Sequence, residues 1–388
     1  MRGGLERGRG FWLVTRIPES FFWEDCAIAI RDLGRASPKG VHDSLTAKQA
    51  TTLDQIRSRL DSFHVLNERL SREYSEKGAL ARSDWWRREY YAFPYLTGAK
   101  FEAIIERFCD IFFNTVDMNA EGQLTPHLDF KNEDSFMAKF THMLEEINAR
   151  GGMPTDVIER ARTPIVDYFS KGDPIGIRLF AKFERDDAPI LVKYSKRQFM
   201  QEMYEFGKIR ICPASFYSAS SHNGAIRDLE TQRPFAIPTF RERLAGESHF
   251  EFQGHKIPLD AGNFEIPVEV QDYFLYSLSN HVYYRLPSDF DADAAIIVRD
   301  KNAFIQRLVS SFLAANPHYD VHYGDATYYD PCLDFTKIRI PEMSKHFRYS
   351  YQREFRIVFN KREPLRTKLV PQFLQIGSMR DYAELITL

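Results

Sequence analysis

The sequence predicts an α+β protein in which helices come first and a sheet comes second. Three observations carry this. Between Ser44 and Ile147 apolar residues recur at helical spacing. Strand-like segments become frequent only after the turn-forming cluster Lys171, Gly172, Asp173 and Pro174. The two kinds of segment are segregated along the chain instead of alternating. A mainly helical region 1–172 is therefore expected to precede a sheet-bearing region 173–388.

The length fits two units, because 388 residues exceed what one hydrophobic core usually supports. With 44% hydrophobic residues, 32 Phe and 19 Tyr, the composition is that of a folded chain with many rings to bury. A formal net charge of -2 shows no global footprint of a nucleic-acid or membrane-surface binder, although a local basic groove stays open. Cys26, Cys109, Cys212 and Cys332 are scattered, with neither metal-binding nor disulfide-scaffold spacing, which fits a reducing cytoplasm. The apolar start Phe11 to Val14 is interrupted by Thr15, Arg16, Glu19 and Glu24 before a signal-peptide core could form. No apolar run approaches the roughly 20 residues that span a bilayer, so a soluble protein is expected.

From Ser44 to about Tyr91, Leu53, Ile56, Leu60, Phe63, Leu66 and Leu70 make one face of an amphipathic helix. Gly98 to Phe113 and Ser135 to Ile147 repeat the pattern. A strand is expected over Pro189 to Tyr194. Ser195 and Gln198 then have capping-box spacing, predicting a helix from Ser195 that ends at Gly207, and Lys208 to Cys212 returns as a strand. Further strands are expected over 249–259, 264–270, 273–279, 294–299 and 350–359, with a helix over 302–312.

The last of these strands alternates. Tyr351, Phe355, Ile357 and Phe359 share one face, and Gln352, Glu354 and Arg356 share the other, so an amide and a carboxylate two residues apart can address one substrate. Taken alone, the strand fits a solvated face carrying a Glu354–Arg356 pair better. Tyr273 to Ser279 alternates too, with Ser277 and Ser279 opposite Phe274, Tyr276 and Leu278.

Together these residues resemble the ADP-ribosyltransferase superfamily. Its split mixed β-sheet binds NAD⁺ between a first strand with a polar residue, an aromatic-Ser-x-Ser strand and a late Gln-x-Glu or Glu-x-Glu strand. The counterparts, in the same order, are Lys193 and Tyr194, then Tyr276, Ser277 and Ser279, then Gln352 and Glu354. Arg210 to Ser215 and Gly224 to Glu230 also resemble a bacterial domain family associated with this superfamily and with defence genes.

The resemblance implies that Glu354 bonds a ribose hydroxyl of NAD⁺ and stabilises the oxocarbenium-like cation formed as nicotinamide leaves. Gln352 would orient the acceptor, and a Gln there is associated with acceptors other than arginine, including nucleobases. Ser277 and Ser279 would support the ribose and Glu354, and Tyr194 or Tyr276 would stack on nicotinamide. The first-strand Arg or His of the main branches is replaced by Lys193 and Tyr194. Lys193 can neutralise a phosphate as a point charge, or Arg227 supplies the pyrophosphate contact; Arg227 could equally pair with Asp228 or Glu230 on a surface.

The implied function is a cytoplasmic toxin or defence effector that transfers ADP-ribose to a macromolecule, nucleic acid and RNA in particular before protein, held in check by an antitoxin protein. The alternatives are an NAD⁺ glycohydrolase and a non-catalytic nucleic-acid- or protein-binding sensor module. Trp85 to Tyr91 interleaves aromatic and basic residues as a single-strand binder would, and as a helix with a buried aromatic face would. No histidine spacing implies a metal, and no glycine-rich loop implies another nucleotide-binding architecture. A Glu354→Ala change on a solvent-facing strand would alter stability by only about 0.5 kcal/mol.

Overall fold

The computed structural model describes residues 53–388 apart from 115, 120–123, 127–132, 155, 158, 161–162, 164–174, 185–187, 220–227, 253–254, 259–262 and 364–366. It is an α+β protein built on an antiparallel sheet. The turn cluster at 171–174, where the sequence puts a boundary, lies outside the described residues.

Among the described residues the helices α1 (Leu53–Lys77), α2 (Arg82–Ala92), α3 (Phe101–Asn114) and α4 (Glu133–Ala149) precede the main sheet, as does the short helix Ile175–Leu179. The single helix expected up to Tyr91 is two, because Gly78 takes a left-handed conformation (φ 71°) after Lys77 and turns the chain. Ile56, Phe63 and Leu70 are buried as their spacing predicts. The helices are also tied through one carboxylate. Glu146 of α4 is fully buried and accepts hydrogen bonds from Tyr90 (2.6 Å), Thr97 (3.2 Å) and Arg150 (2.6 Å), with Arg59 of α1 at 3.4 Å.

Eight strands form the main sheet: β1 (Leu191–Ser195), β2 (Lys208–Pro213), β3 (Phe274–Ser279), β4 (Ala294–Val298), β5 (Tyr319–Asp325), β6 (Glu354–Lys361), β7 (Gln372–Gln375) and β8 (Ala383–Thr387). The path runs β5-β6-β3-β1-β4-β8, with β7 on β2 and β2 on β3. A mixed sheet is expected from the sequence, yet each of these pairings is antiparallel.

The reason lies at β3. One edge of β3 pairs with β6 along its whole length. On the other edge, Phe274 and Leu275 pair with β2, whereas Ser279 pairs with Val192 of β1. β1 and β2 run the same way, but they sit on successive lengths of one antiparallel partner and form no parallel ladder. The sheet forks between Leu275 and Ser279.

The helix between the fork's arms, α5 (Arg197–Phe206), begins two residues later than its capping box predicts. Ser195 is committed to the ladder opposite Ala294, and Asp293 accepts the Arg197 backbone N–H at 2.5 Å in its place. Its C-terminal end is as expected: Gly207 caps it at φ 67°, and a Cβ there would lie 2.1 Å from the Gly377 carbonyl. α5 and α6 (Lys301–Ala315) cover one sheet face, burying Leu191, Ile209, Tyr276, Ile296 and Ile357. The opposite face carries an apolar cluster with Val192, Tyr194 and Tyr351, another with Tyr273, Leu275 and Val358, and a polar patch between them.

Candidate functional site

The polar patch follows from the β3–β6 register, which sets Ser279 opposite Glu354 and Ser277 opposite Arg356. Diagonal neighbours on one face lie within reach of a long side chain, and the Ser277 hydroxyl donates to Glu354 Oε1 at 2.5 Å. Arg356 Nε donates to the same oxygen at 3.0 Å. Lys345 Nζ donates to Glu354 Oε2 at 2.6 Å and to Gln352 Oε1 at 2.9 Å, so one ammonium joins the amide and the carboxylate. The Tyr328 hydroxyl accepts the Glu354 backbone N–H at 2.8 Å.

The expected strand over 350–359 begins only at Glu354. Phe347–Gln352 is a 3-10 helix, and Arg353 bridges the two in the left-handed region (φ 40°). Gln352 therefore reaches Lys345 from a turn and not by strand alternation. The polar face is not solvated either: Gln352 is 4%, Glu354 5% and Arg356 0% exposed. Arg356 pays for its burial with a full set of acceptors, bonding Glu230 through both terminal nitrogens (3.0 and 2.7 Å) and the Glu342 carbonyl (2.9 Å). Arg233 and Tyr273 complete the Glu230 shell at 3.3 and 3.1 Å.

Burial alone would raise the Glu354 carboxyl, but Arg356 and Lys345 outweigh it and hold it at about 2. Glu230 is likewise held down, burial being overcome by Arg356, Lys345 and Arg233. Asp228 behaves oppositely: burial, reinforced by Glu230, pushes it up to about 7 against Lys345 and Arg356.

The remaining predicted residues divide. Ser279 lies on the site face, but its single hydroxyl proton is shared between the His281 (3.1 Å) and Gln352 (3.0 Å) carbonyls, pinning the turn before Glu354. Lys193 sits in the fork and donates to the Ser277 carbonyl at 2.7 Å, satisfying a group that lies between the two arms. Burial lowers Lys193 to about 8, with Glu354 acting against the shift. Tyr194 packs edge-on against Phe180, and its hydroxyl donates to the His281 carbonyl at 3.2 Å. Tyr276 belongs to the core on the far face and bonds Met203 Sδ at 3.4 Å. Neither ring lies against Glu354. Arg227 lies outside the described residues.

Sequence reasoning missed Lys345 and Tyr328, and it placed Glu230 only as a surface partner of Arg227, whereas Glu230 is buried against Arg356. Lys345 lies in a short strand (Ser344–His346) pairing with Thr327–Tyr329, and no periodicity ties either segment to Glu354. Among the described residues no group of three or more His, Cys, Asp or Glu side chains is placed to hold a metal ion, and no helix is long and apolar enough to cross a membrane. No family model, no curated protein and no solved structure matches this chain.

Proposed function

We propose that this chain is an ADP-ribosyltransferase-like enzyme that cleaves NAD⁺ at Glu354. The observation that carries the reading is the 2.5 Å bond from Ser277 to Glu354 across adjacent strands at the fork of a split sheet. A serine and a late-strand carboxylate that meet this way match the motif order Lys193, Ser277, Glu354 that prompted the resemblance. Glu354 stays ionised across the physiological range, as a group that stabilises a developing cation must. Ser277 fixes its rotamer, and Ser279 fixes the turn that presents Gln352.

The proposed acceptor is a macromolecule, with nucleic acid and RNA before protein. The proposed setting is a cytoplasmic toxin or defence effector with a neutralising antitoxin. The acceptor preference rests on Gln352. The aromatic-basic run on α2 adds little, since Arg87 is engaged by Asp84 and Glu145 and Arg88 lies over Trp85.

One observation favours the second reading, a non-catalytic binding module. Glu354 is 5% exposed and already accepts from Ser277, Arg356 and Lys345, which leaves a ribose hydroxyl at most one acceptor position, on Oε2. The test is incubation with NAD⁺ labelled on the adenylate phosphate, in separate reactions with RNA, DNA and cell protein, beside Glu354→Gln. Label on one polymer, lost in the variant, supports transfer. Nicotinamide release without label on any polymer indicates a glycohydrolase. Neither label nor release overturns the enzyme reading in favour of the binding module.

A further inference from the structure

Three carboxylates converge on Lys345 and Arg356, and they are not equivalent. Glu230 is enclosed by Arg356, Arg233 and Tyr273. Glu354 is bonded at both oxygens. Asp228 differs: no hydrogen bond from a described residue reaches its carboxylate, and Oδ2 stands 3.9 Å from Lys345 Nζ, beyond bonding distance. Its side chain keeps 14% exposure, against 3% for Glu230 and 5% for Glu354. The backbone holds it in place, the Asp228 N–H donating to the Tyr217 carbonyl at 3.1 Å.

Transfer from NAD⁺ needs a proton acceptor, and the Gln-x-Glu pair does not supply one. The Gln352 amide is no base, and Glu354, at about 2 and already accepting from Ser277, Arg356 and Lys345, is too weak a base. We propose that Asp228 is the general base, receiving the proton of the acceptor nucleophile across the Lys345 ammonium from Glu354. This rests on the reading of NAD⁺ cleavage at Glu354. In the step, the bond from the ribose C1′ to the nicotinamide nitrogen breaks, and its electron pair leaves with neutral nicotinamide. A lone pair of the acceptor forms the new bond to C1′. The acceptor's proton passes to the Asp228 carboxylate and from there to water.

The surroundings suit that role. Burial and Glu230 raise Asp228, Lys345, Arg356 and Arg233 oppose them, and the outcome near 7 places a base where it is both ionised and strong enough to act. The Tyr329 and Tyr349 phenols also feel its charge. Glu354 and Asp228 thus have environments that drive their acidities apart, the pattern of two carboxyls with different tasks.

The experiment measures nicotinamide release from NAD⁺, with RNA, DNA and cell protein supplied as acceptors, between about pH 5 and pH 9 for the wild type, Asp228→Asn and Asp228→Glu, with NAD⁺ affinity measured alongside. The wild-type rate is expected to rise through an inflection near 7. Asp228→Asn should bind NAD⁺ as before, lose the inflection and fall about 10²- to 10⁴-fold at the alkaline plateau. Asp228→Glu should regain part of the rate with a displaced inflection. An unchanged inflection in either variant, whatever its rate, overturns the assignment. No release by the wild type at any pH overturns the underlying reading of the site, and this inference with it.

Discussion

Arg107 and Asp330, 223 positions apart in the chain, form a buried two-pronged pair with hydrogen bonds of 2.9 and 2.5 Å. Arg107 belongs to α3, and Asp330 follows the strand that carries Tyr328, so a helix of the N-terminal region braces the wall behind Glu354. Removing one partner leaves the other charge buried alone. Arg107→Met should therefore lower unfolding free energy by about 3–5 kcal/mol, whereas Arg107→Met with Asp330→Leu should recover much of that loss. Denaturant titrations of the two variants check it; equal stabilities would contradict the account.

Burial of the polar face reverses the expectation of a negligible stability change at Glu354. Glu354→Ala strands Lys345 and Arg356 without their shared counter-charge and is expected to lose about 3–5 kcal/mol. Glu354→Gln keeps an oxygen and the volume, so it should lose less. Thermal unfolding of both variants distinguishes this from a solvated face, for which both would melt with the wild type.

Acid should unfold the protein early. Burial would raise Asp330, but Arg107 outweighs it and holds it at about 2, and Glu354 is also at about 2. Burial lowers His142 to about 4 and His346 to about 3. All four are depressed below their unfolded values, so their stabilising contributions are present above those values and are lost as pH falls. The histidines act from about pH 6.5 downward and the carboxyls from about pH 4.5, each removing about 1.4 kcal/mol per pH unit between its two values. Asp228 runs the other way, its raised value making it stabilising in acid and less so as pH rises through 7. Denaturation midpoints recorded from neutral to acid should fall steadily below about pH 6.5; a flat profile down to about pH 4 would refute the histidine contribution.

The start of α5 offers a local test. Asp293→Ala removes the acceptor of the Arg197 N–H and should lower stability by about 1 kcal/mol. Ser195→Ala should lose much less, because Ser195 lies in β1 and not at the cap. Equal losses would restore the capping box read from the sequence.

Much of the sheet was legible because alternation is local. Phe274, Tyr276 and Leu278 line the core and Ser277 and Ser279 do not, as their spacing predicts. Gly207 announced its helix end for the same reason. What alternation cannot reveal is what lies over a polar face. The bury-or-solvate choice at Gln352, Glu354 and Arg356 was settled by Glu230 and Lys345, which arrive from segments without periodicity. Asn114 illustrates the same limit: its side chain donates to the Arg348 carbonyl and accepts the Tyr351 N–H, shaping the turn before Glu354 from 234 and 237 positions away.

The fork makes β3 the single shared member of two ribbons, one formed by β1, β4 and β8 and the other by β2 and β7. Either ribbon can loosen without breaking the other's ladder, so their amides should exchange with solvent as two separate blocks, joined only when β3 itself lets go. Lys193 is the clasp at the crotch, and its replacement by Met should uncouple the blocks further while leaving each ribbon's internal protection in place.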